Sequence, residues 1–193
     1  MTQTGQTAAV GRWLRSEIGV PFVVVGGSAV EQVVPVATKH VDVLIKETDW
    51  PTVDSALESR RDASPLDPDG GSIRGTFVSI DGLRIELEFI AGEPFSGRSD
   101  RESFGRYVST AGSTVHDDIR YATPAVVFYM RLNAPDDWQL YIPAIERDLQ
   151  AGVSVRTLDQ ACRIADRFGV GPEVRGRVKS LRATLRALDI RRG

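Results

Sequence analysis

Residues 22–45 read FVVVGGSAVEQVVPVATKHVDVLI, and this stretch decides the fold. Phe22–Val25 is a short apolar run rich in β-branched residues, which suits a buried strand. Gly26-Gly27-Ser28 breaks it. Two glycines let the backbone turn sharply and approach a ligand closely. Ser28 has the chemistry of an N-cap for a short helix over Ala29–Val34. Backbone N–H groups would then point out of the turn, an arrangement that suits a phosphate. After Pro35 the residues Lys39–Ile45 predict a second strand. Alternation puts Val41, Val43 and Ile45 on one face and His40, Asp42 and Leu44 on the other. Asp42 is the informative residue, because a carboxylate in an apolar strand is costly to bury without a partner. A charged ligand or a metal ion would supply one.

Outward from this core, residues 7–18 predict an opening helix with Ala8, Ala9, Trp13, Leu14 and Ile18 as its apolar face and Gly19 as its stop. Thr48-Asp49-Trp50-Pro51 is a helix start, running to about Arg60. Residues 62–72 are rich in Pro, Gly, Asp and Ser and predict a surface loop. Residues 73–80 and 83–90 are strand patterns around Asp81-Gly82, a strong hairpin signal. In the second strand Arg84, Glu86 and Glu88 share one face, against Leu83, Ile85, Leu87 and Phe89 on the other. A plain solvent-facing strand with Arg84 paired to a glutamate accounts for this as well as a functional acid does.

Residues 91–105 predict a polar loop, followed by strands within 107–115 and 119–121. Thr123-Pro124 opens a helix. Beyond it the chain reads as helical over about 136–150, 155–168 and 172–189, with Gly152 and Gly169 as stops. The expected fold class is α+β: a mixed sheet with flanking helices over residues 1–121, then a C-terminal helical region over 122–193 packed on it.

Composition narrows the function classes. A chain of 193 residues can bury a substantial core in one domain. No apolar run is long enough to cross a membrane, and the first residues lack a signal-peptide pattern, so a cytoplasmic protein is expected. Cys162 is the single cysteine, which excludes an intrachain disulfide and a cysteine-built zinc site. With only His40 and His116, a histidine-rich metal site is excluded too. The net charge of −2 conceals an asymmetry: residues 171–193 carry seven basic residues against Glu173 and Asp189. In the last helix Arg175, Lys179, Arg182 and Arg186 form a stripe beside the apolar one. Such a stripe suits RNA phosphates, or is simply a solvated helix face.

The stretch 22–45 resembles the nucleotidyltransferase superfamily related to DNA polymerase β, in which a Gly-Gly or Gly-Ser turn and a short helix lead to a strand carrying Asp-x-Asp. The likeness is closer to minimal AbiEii-type transferases, many of them toxins, whose strand reads Thr-Lys/Arg-Asp-hydrophobic-Asp-hydrophobic. Here it reads Thr38-Lys39-His40-Val41-Asp42-Val43. Asp42 matches the second aspartate and His40 stands at the first, so the motif is degenerate.

The resemblance implies a third carboxylate on a later strand; Gly82-Leu83-Arg84-Ile85-Glu86 matches its lead-in, which makes Glu86 the choice and Glu88 the reserve. It also implies catalytic residues at a Lys-Leu pair and an Arg/Lys-Asp pair in the helical part. Arg131-Leu132 and Arg147-Asp148 stand there. A surface Arg131 and a surface Asp148 are the alternative.

The resemblance thus implies a metal-dependent nucleotidyltransferase. Asp42 and Glu86, with Glu88 or His40, would hold Mg2+ or Mn2+. Gly26, Gly27 and Ser28 would take the phosphates of an NTP, with Lys39, Arg84 and Arg131 neutralising charge. Arg131 and Asp148 would join Asp42 and Glu86 in catalysis. The acceptor is a hydroxyl, at a tRNA 3′ end or on a protein. A toxin with a cognate antitoxin, and RNA held on the basic helix, are the implied partners. The alternative from a different class is an inactive module of the same fold that binds nucleotide, nucleic acid or a protein.

Overall fold

The computed structural model describes residues 3–38, 40–59, 73–91, 101–134 and 138–192. Lys39 and the loop at 62–72 lie outside the described residues, as do the side chains of 186–192, Arg186 among them.

The opening helix α1 (Gln3–Trp13) runs into a wider π turn at Leu14–Ile18. Gly19, at φ 72°, ends it with its N–H on the Leu14 carbonyl. Strand β1 (Val23–Val25) and helix α2 (Gly26–Val30) follow, then β2 (Val41–Ile45). A 3-10 turn leads into α3 (Trp50–Glu58), with Pro51 in its first turn as the sequence predicts. The hairpin β3 (Ile73–Ile80) and β4 (Leu83–Ala91) turns at Asp81 and Gly82, both at positive φ. That is the two-residue geometry an Asp-Gly pair favours.

Residues 101–108 form helix α4 (Arg101–Val108) where the sequence suggests a loop and the start of a strand. Its apolar content is small, but Phe104 and Val108 are buried, and Phe104 packs on Tyr129 and Phe168. The strands after it are correspondingly short: β5 (Ser113–His116) and β6 (Ile119–Ala122). Helix α5 (Pro124–Asn133), a 3-10 turn at Trp138–Tyr141, α6 (Ile142–Gln150), α7 (Arg156–Arg167) and α8 (Gly171–Arg192) complete the chain.

The expected α+β class holds: the six strands form one mixed sheet in the order β3-β4-β2-β1-β6-β5, with helices flanking it. β2 is central, antiparallel to β1 and parallel to β4. All five of its residues are buried, so both faces of this strand are covered. The α3 side is marked by Trp50 packing edge-on against Phe89. On the other face α2 packs against β2 and α5. The hydrophobic core is continuous from Ala9 to Leu181, including α5, α7 and α8.

Candidate active site

One row across the sheet positions the acids. Val25 of β1 is opposite Asp42 of β2, and Asp42 is opposite Glu88 of β4. Cross-strand partners share a face, so both carboxylates leave the sheet on the α2 side. Parallel pairing of two interior strands holds them in fixed register. His40 stands just before β2. Its Nε2 is 3.2 Å from Asp42 Oδ1 and 3.7 Å from Glu88 Oε2.

These contacts set the electrostatics. The His40 pKa is raised to about 9, first by its hydrogen bond to Asp42 and against the opposing effect of burial, then by the charges of Asp42, Glu88 and Glu86. Glu88 is pushed up from the usual carboxylate range, first by burial and then by the charge of Asp42. Two acids close together and partly out of water resist carrying two charges, and a cation between them relieves this.

The cluster forms one wall of a cavity of about 440 Å3, whose lining also includes Gly26, Gly27, Thr38, Tyr141, Arg131 and Arg147. The far wall is built by α5 and α6. Asp148 on α6 is fully buried, which overturns the surface reading of this residue. Its Oδ2 accepts from Arg131 Nη1 at 2.5 Å, and its Oδ1 accepts from Arg147 Nε and Nη2 at 3.0 and 2.8 Å. Arg131, in the last turn of α5, is buried as well. Arg147 also donates to the Ala37 carbonyl at 3.1 Å, tying α6 to the segment that leads into His40. One buried aspartate thus orients two guanidinium groups that line the cavity with the acid pair.

The remaining sequence-predicted residues sit elsewhere or play other parts. Ser28 is not the cap of α2. The helix begins at Gly26 after an extended Val25, and Ser28 lies inside it, fully buried. Its hydroxyl donates to the His40 carbonyl at 3.0 Å and lies 3.5 Å from Thr38 Oγ1. It therefore fastens the residue beside the acids, while the backbone at Gly26 and Gly27 lines the cavity.

Glu86 lies two residues along β4 from Glu88, opposite Phe77, and is not part of the His40–Asp42–Glu88 cluster. Arg84 is exposed, with its guanidinium 4.3 Å from the Phe77 ring centre, and does not line the cavity. Lys39 is outside the described residues. In the basic stripe, Arg175 bonds Asp166 and Arg182 bonds Asp159, both on α7, so these two arginines join α8 to α7. Arg147 is the cavity residue that sequence reasoning underrates; its adjacency to Asp148 is the available signal.

The donor set permits a direct test of the metal expected here. One atom each from His40, Asp42 and Glu88 lie within 4.8 Å of one another, which fits a single divalent ion. The set mixes an imidazole nitrogen with carboxylates. Magnesium prefers oxygen ligands and gives up water reluctantly, so it fits this set less well than a first-row transition ion does. No helix among the described residues is long and apolar enough to cross a membrane.

No family model matches the sequence, and no curated protein matches it either. Solved structures do. The antibiotic-resistance factor ANT(2'')-Ia, a nucleotidyltransferase, aligns over 98% of this chain and 98% of its own at 10% identity, with a TM-score of 0.50. JHP933 from Helicobacter pylori aligns over 100% of this chain and 99% of its own at 11% identity, with a TM-score of 0.44. A further Helicobacter pylori structure, assigned as a nucleotidyltransferase, aligns over 96% of each chain at 11% identity, with a TM-score of 0.45. At these identities the likeness concerns architecture, and the mixed six-stranded sheet with its flanking helices is a nucleotidyltransferase-like α+β fold.

Proposed function

We propose that the protein transfers a nucleotide from a nucleoside triphosphate to a hydroxyl acceptor. The observation that carries this reading is the opposition, across one cavity, of the Asp42–Glu88 acid pair and the Arg131–Arg147 guanidinium pair. The cavity's volume is in the range of small-molecule sites. Transfer from a triphosphate demands little covalent chemistry from a protein; it demands positioning and neutralisation of charge. Arg131 and Arg147 supply fixed positive charge for phosphate oxygens, and arginine forks match that geometry. The backbone of Gly26 and Gly27 lets a phosphate come close. Asp42 and Glu88 would hold a divalent ion, which when bound polarises the phosphoryl group and offsets its charge. Asp148 acts on the guanidiniums rather than on substrate, since both its oxygens are already engaged.

The acids come from strands of the sheet and the arginines from α5 and α6, in keeping with the proposed division into residues 1–121 and 122–193. The toxin role stands or falls with the acceptor, because transfer to a tRNA 3′ end would disable translation. The likeness in fold to an antibiotic-resistance factor adds hydroxyl-bearing antibiotics to the acceptors worth testing.

One observation favours a second reading, nucleotide binding without transfer. His40 already contacts both carboxylates and so occupies part of the space an ion needs. A label-transfer assay separates the two. The protein is mixed with each α-labelled NTP and Mg2+ or Mn2+, with total tRNA, with the protein alone as acceptor, or with antibiotics. Asp42→Ala is the control. Label on an acceptor that is lost in Asp42→Ala establishes transfer. NTP binding by calorimetry with no label on any acceptor favours the binding module.

A further inference from the structure

We propose that His40, Asp42 and Glu88 form a mixed nitrogen–oxygen site that selects manganese over magnesium, with His40 Nε2 as a direct ligand. This deepens the transferase reading by naming its ion, and it rests on that reading only for the purpose the ion serves.

Distances support direct ligation. Two ligand atoms about 2.1 Å from one ion lie roughly 3.0 Å apart at a right angle and roughly 3.6 Å apart at 120°. His40 Nε2 stands 3.2 Å from Asp42 Oδ1 and 3.7 Å from Glu88 Oε2. The first is close to a right-angle edge; the second is longer, so Glu88 must close on the ring nitrogen as an ion is taken up. Admitting an ion exchanges the direct His40–Asp42 contact for coordination of both groups to the metal.

Rigidity supports selectivity. Asp42 and Glu88 are fixed by β-sheet register. His40 is fixed through its backbone by the buried Ser28 hydroxyl, and Arg147 holds the Ala37 carbonyl three residues upstream. A preset donor geometry discriminates between ions better than a mobile one, because it cannot rearrange to suit the wrong ion. The imidazole is 36% exposed and the cluster opens into the cavity. Coordination positions on that side remain available to water or to phosphate oxygens.

Ligand chemistry favours manganese over magnesium. Magnesium requires near-ideal octahedral oxygen geometry and keeps its waters. An imidazole ligand adds little to its binding but strengthens that of every ion in the first transition row. Manganese is the member that also accepts the octahedral, oxygen-rich surroundings magnesium uses. It can therefore take the carboxylates, the imidazole and phosphate oxygens together. Zinc in four-coordinate form would leave one position and fit a triphosphate less well.

The test uses the metal-free 193-residue chain with Mn2+ as the probe. The spectrum of free aqueous Mn2+ is followed by electron paramagnetic resonance as protein is added, and Mg2+ is then titrated as competitor. The inference expects half-displacement to need roughly tenfold or more excess of Mg2+ over Mn2+, and expects His40→Asp to shrink that excess toward parity. It also expects nitrogen hyperfine coupling on bound Mn2+ in the wild-type protein and none in His40→Asp. The wild-type coupling needs no variant to fold. Absence of nitrogen coupling, absence of Mn2+ binding, or an unchanged Mg2+ excess in a folded His40→Asp would each overturn the inference. Transfer activity supported by magnesium without nitrogen coupling sinks this inference and leaves the transferase. Nitrogen coupling without transfer to any acceptor leaves the site and sinks the enzyme.

Discussion

A β-carbon on Gly26 would lie 1.7 Å from Asp42 Oδ2, so the carboxylate of β2 occupies the space that glycine vacates at the head of α2. Gly26 also has φ +60°. The Gly-Gly turn and the acid are therefore one device: the turn is narrow enough to bring backbone over the carboxylate only because no side chain stands there. Gly26→Ala is expected to cost about 2–4 kcal/mol, from left-handed backbone strain plus displacement of Asp42. Gly19→Ala is the control, since Gly19 has φ +72° but nothing within 4 Å of its missing β-carbon. It should cost only the backbone part, about 1–2 kcal/mol. Urea denaturation of both variants, with Mn2+ binding measured alongside, checks this. Equal losses in the two would show that the Asp42 contact has no weight.

His40 gives the metal-free protein a pH dependence whose sign is fixed. Its pKa is raised in the folded state, from 6.5 to about 9, chiefly by the hydrogen bond to Asp42. A raised value means the folded state holds its proton more tightly than the unfolded chain does. The resulting stability is fully present below pH 6.5 and is lost as pH rises through about 9. Melting temperature measured across this window should therefore fall with rising pH, and His40→Gln should remove that component. A wild-type profile no steeper than that of His40→Gln would sink the prediction.

The parts of this architecture that the sequence exposes are those with local causes. The β-branched run at Val23–Val25, the Asp81-Gly82 turn and Thr123-Pro124 each announce an element by their own chemistry, and each element is present. The misreadings have causes elsewhere in the chain. Ser28 looks like a cap, but α2 starts earlier because Gly26 turns around Asp42, a residue on another strand. Helix α4 is hidden because Phe104 and Val108 are too few to show a period; their burial is completed by Tyr129 and Phe168. Glu86 and Glu88 share a face, so alternation cannot choose between them. The parallel register with β2 places Glu88 opposite Asp42, and parallel register is invisible in a single strand's pattern. The alternative reading of Asp148 as a surface residue fails because the helical part closes over it, a contact between α5 and α6 that local pattern does not show.

The register yields a functional prediction about those two glutamates. Glu88→Gln removes a charge from the His40–Asp42–Glu88 cluster, whereas Glu86→Gln alters a residue outside it. If the protein is a transferase, Glu88→Gln should lower kcat on the order of a hundredfold or more. Glu86→Gln should stay within a fewfold of wild type, its remaining influence being the electrostatic effect it has on His40. Comparing kcat and KM for the NTP in the two variants checks this. The opposite ranking would return the role to Glu86 and require the strand pairing to be revised.

Asp148 is expected to matter more for stability and substrate affinity than for proton transfer. It is fully buried with a guanidinium on each oxygen. Removing one member of such a buried ion-pair network leaves uncompensated charge, and Asp148→Asn should destabilise the protein by about 3–5 kcal/mol. Arg147 is the more exposed of the two arginines, so its loss is cheaper for the fold but opens the cavity wall and frees the Ala37 carbonyl. Arg147→Lys keeps the charge and gives up the planar fork that reaches Asp148 and Ala37 together. It should therefore raise KM for the NTP while the pH profile of kcat keeps its shape. That unchanged profile is the decisive readout. An Asp148 acting as general base, disturbed through its neighbour, would shift the acid limb of the profile in Arg147→Lys. An Asp148 that only positions guanidiniums would move KM and leave that limb in place.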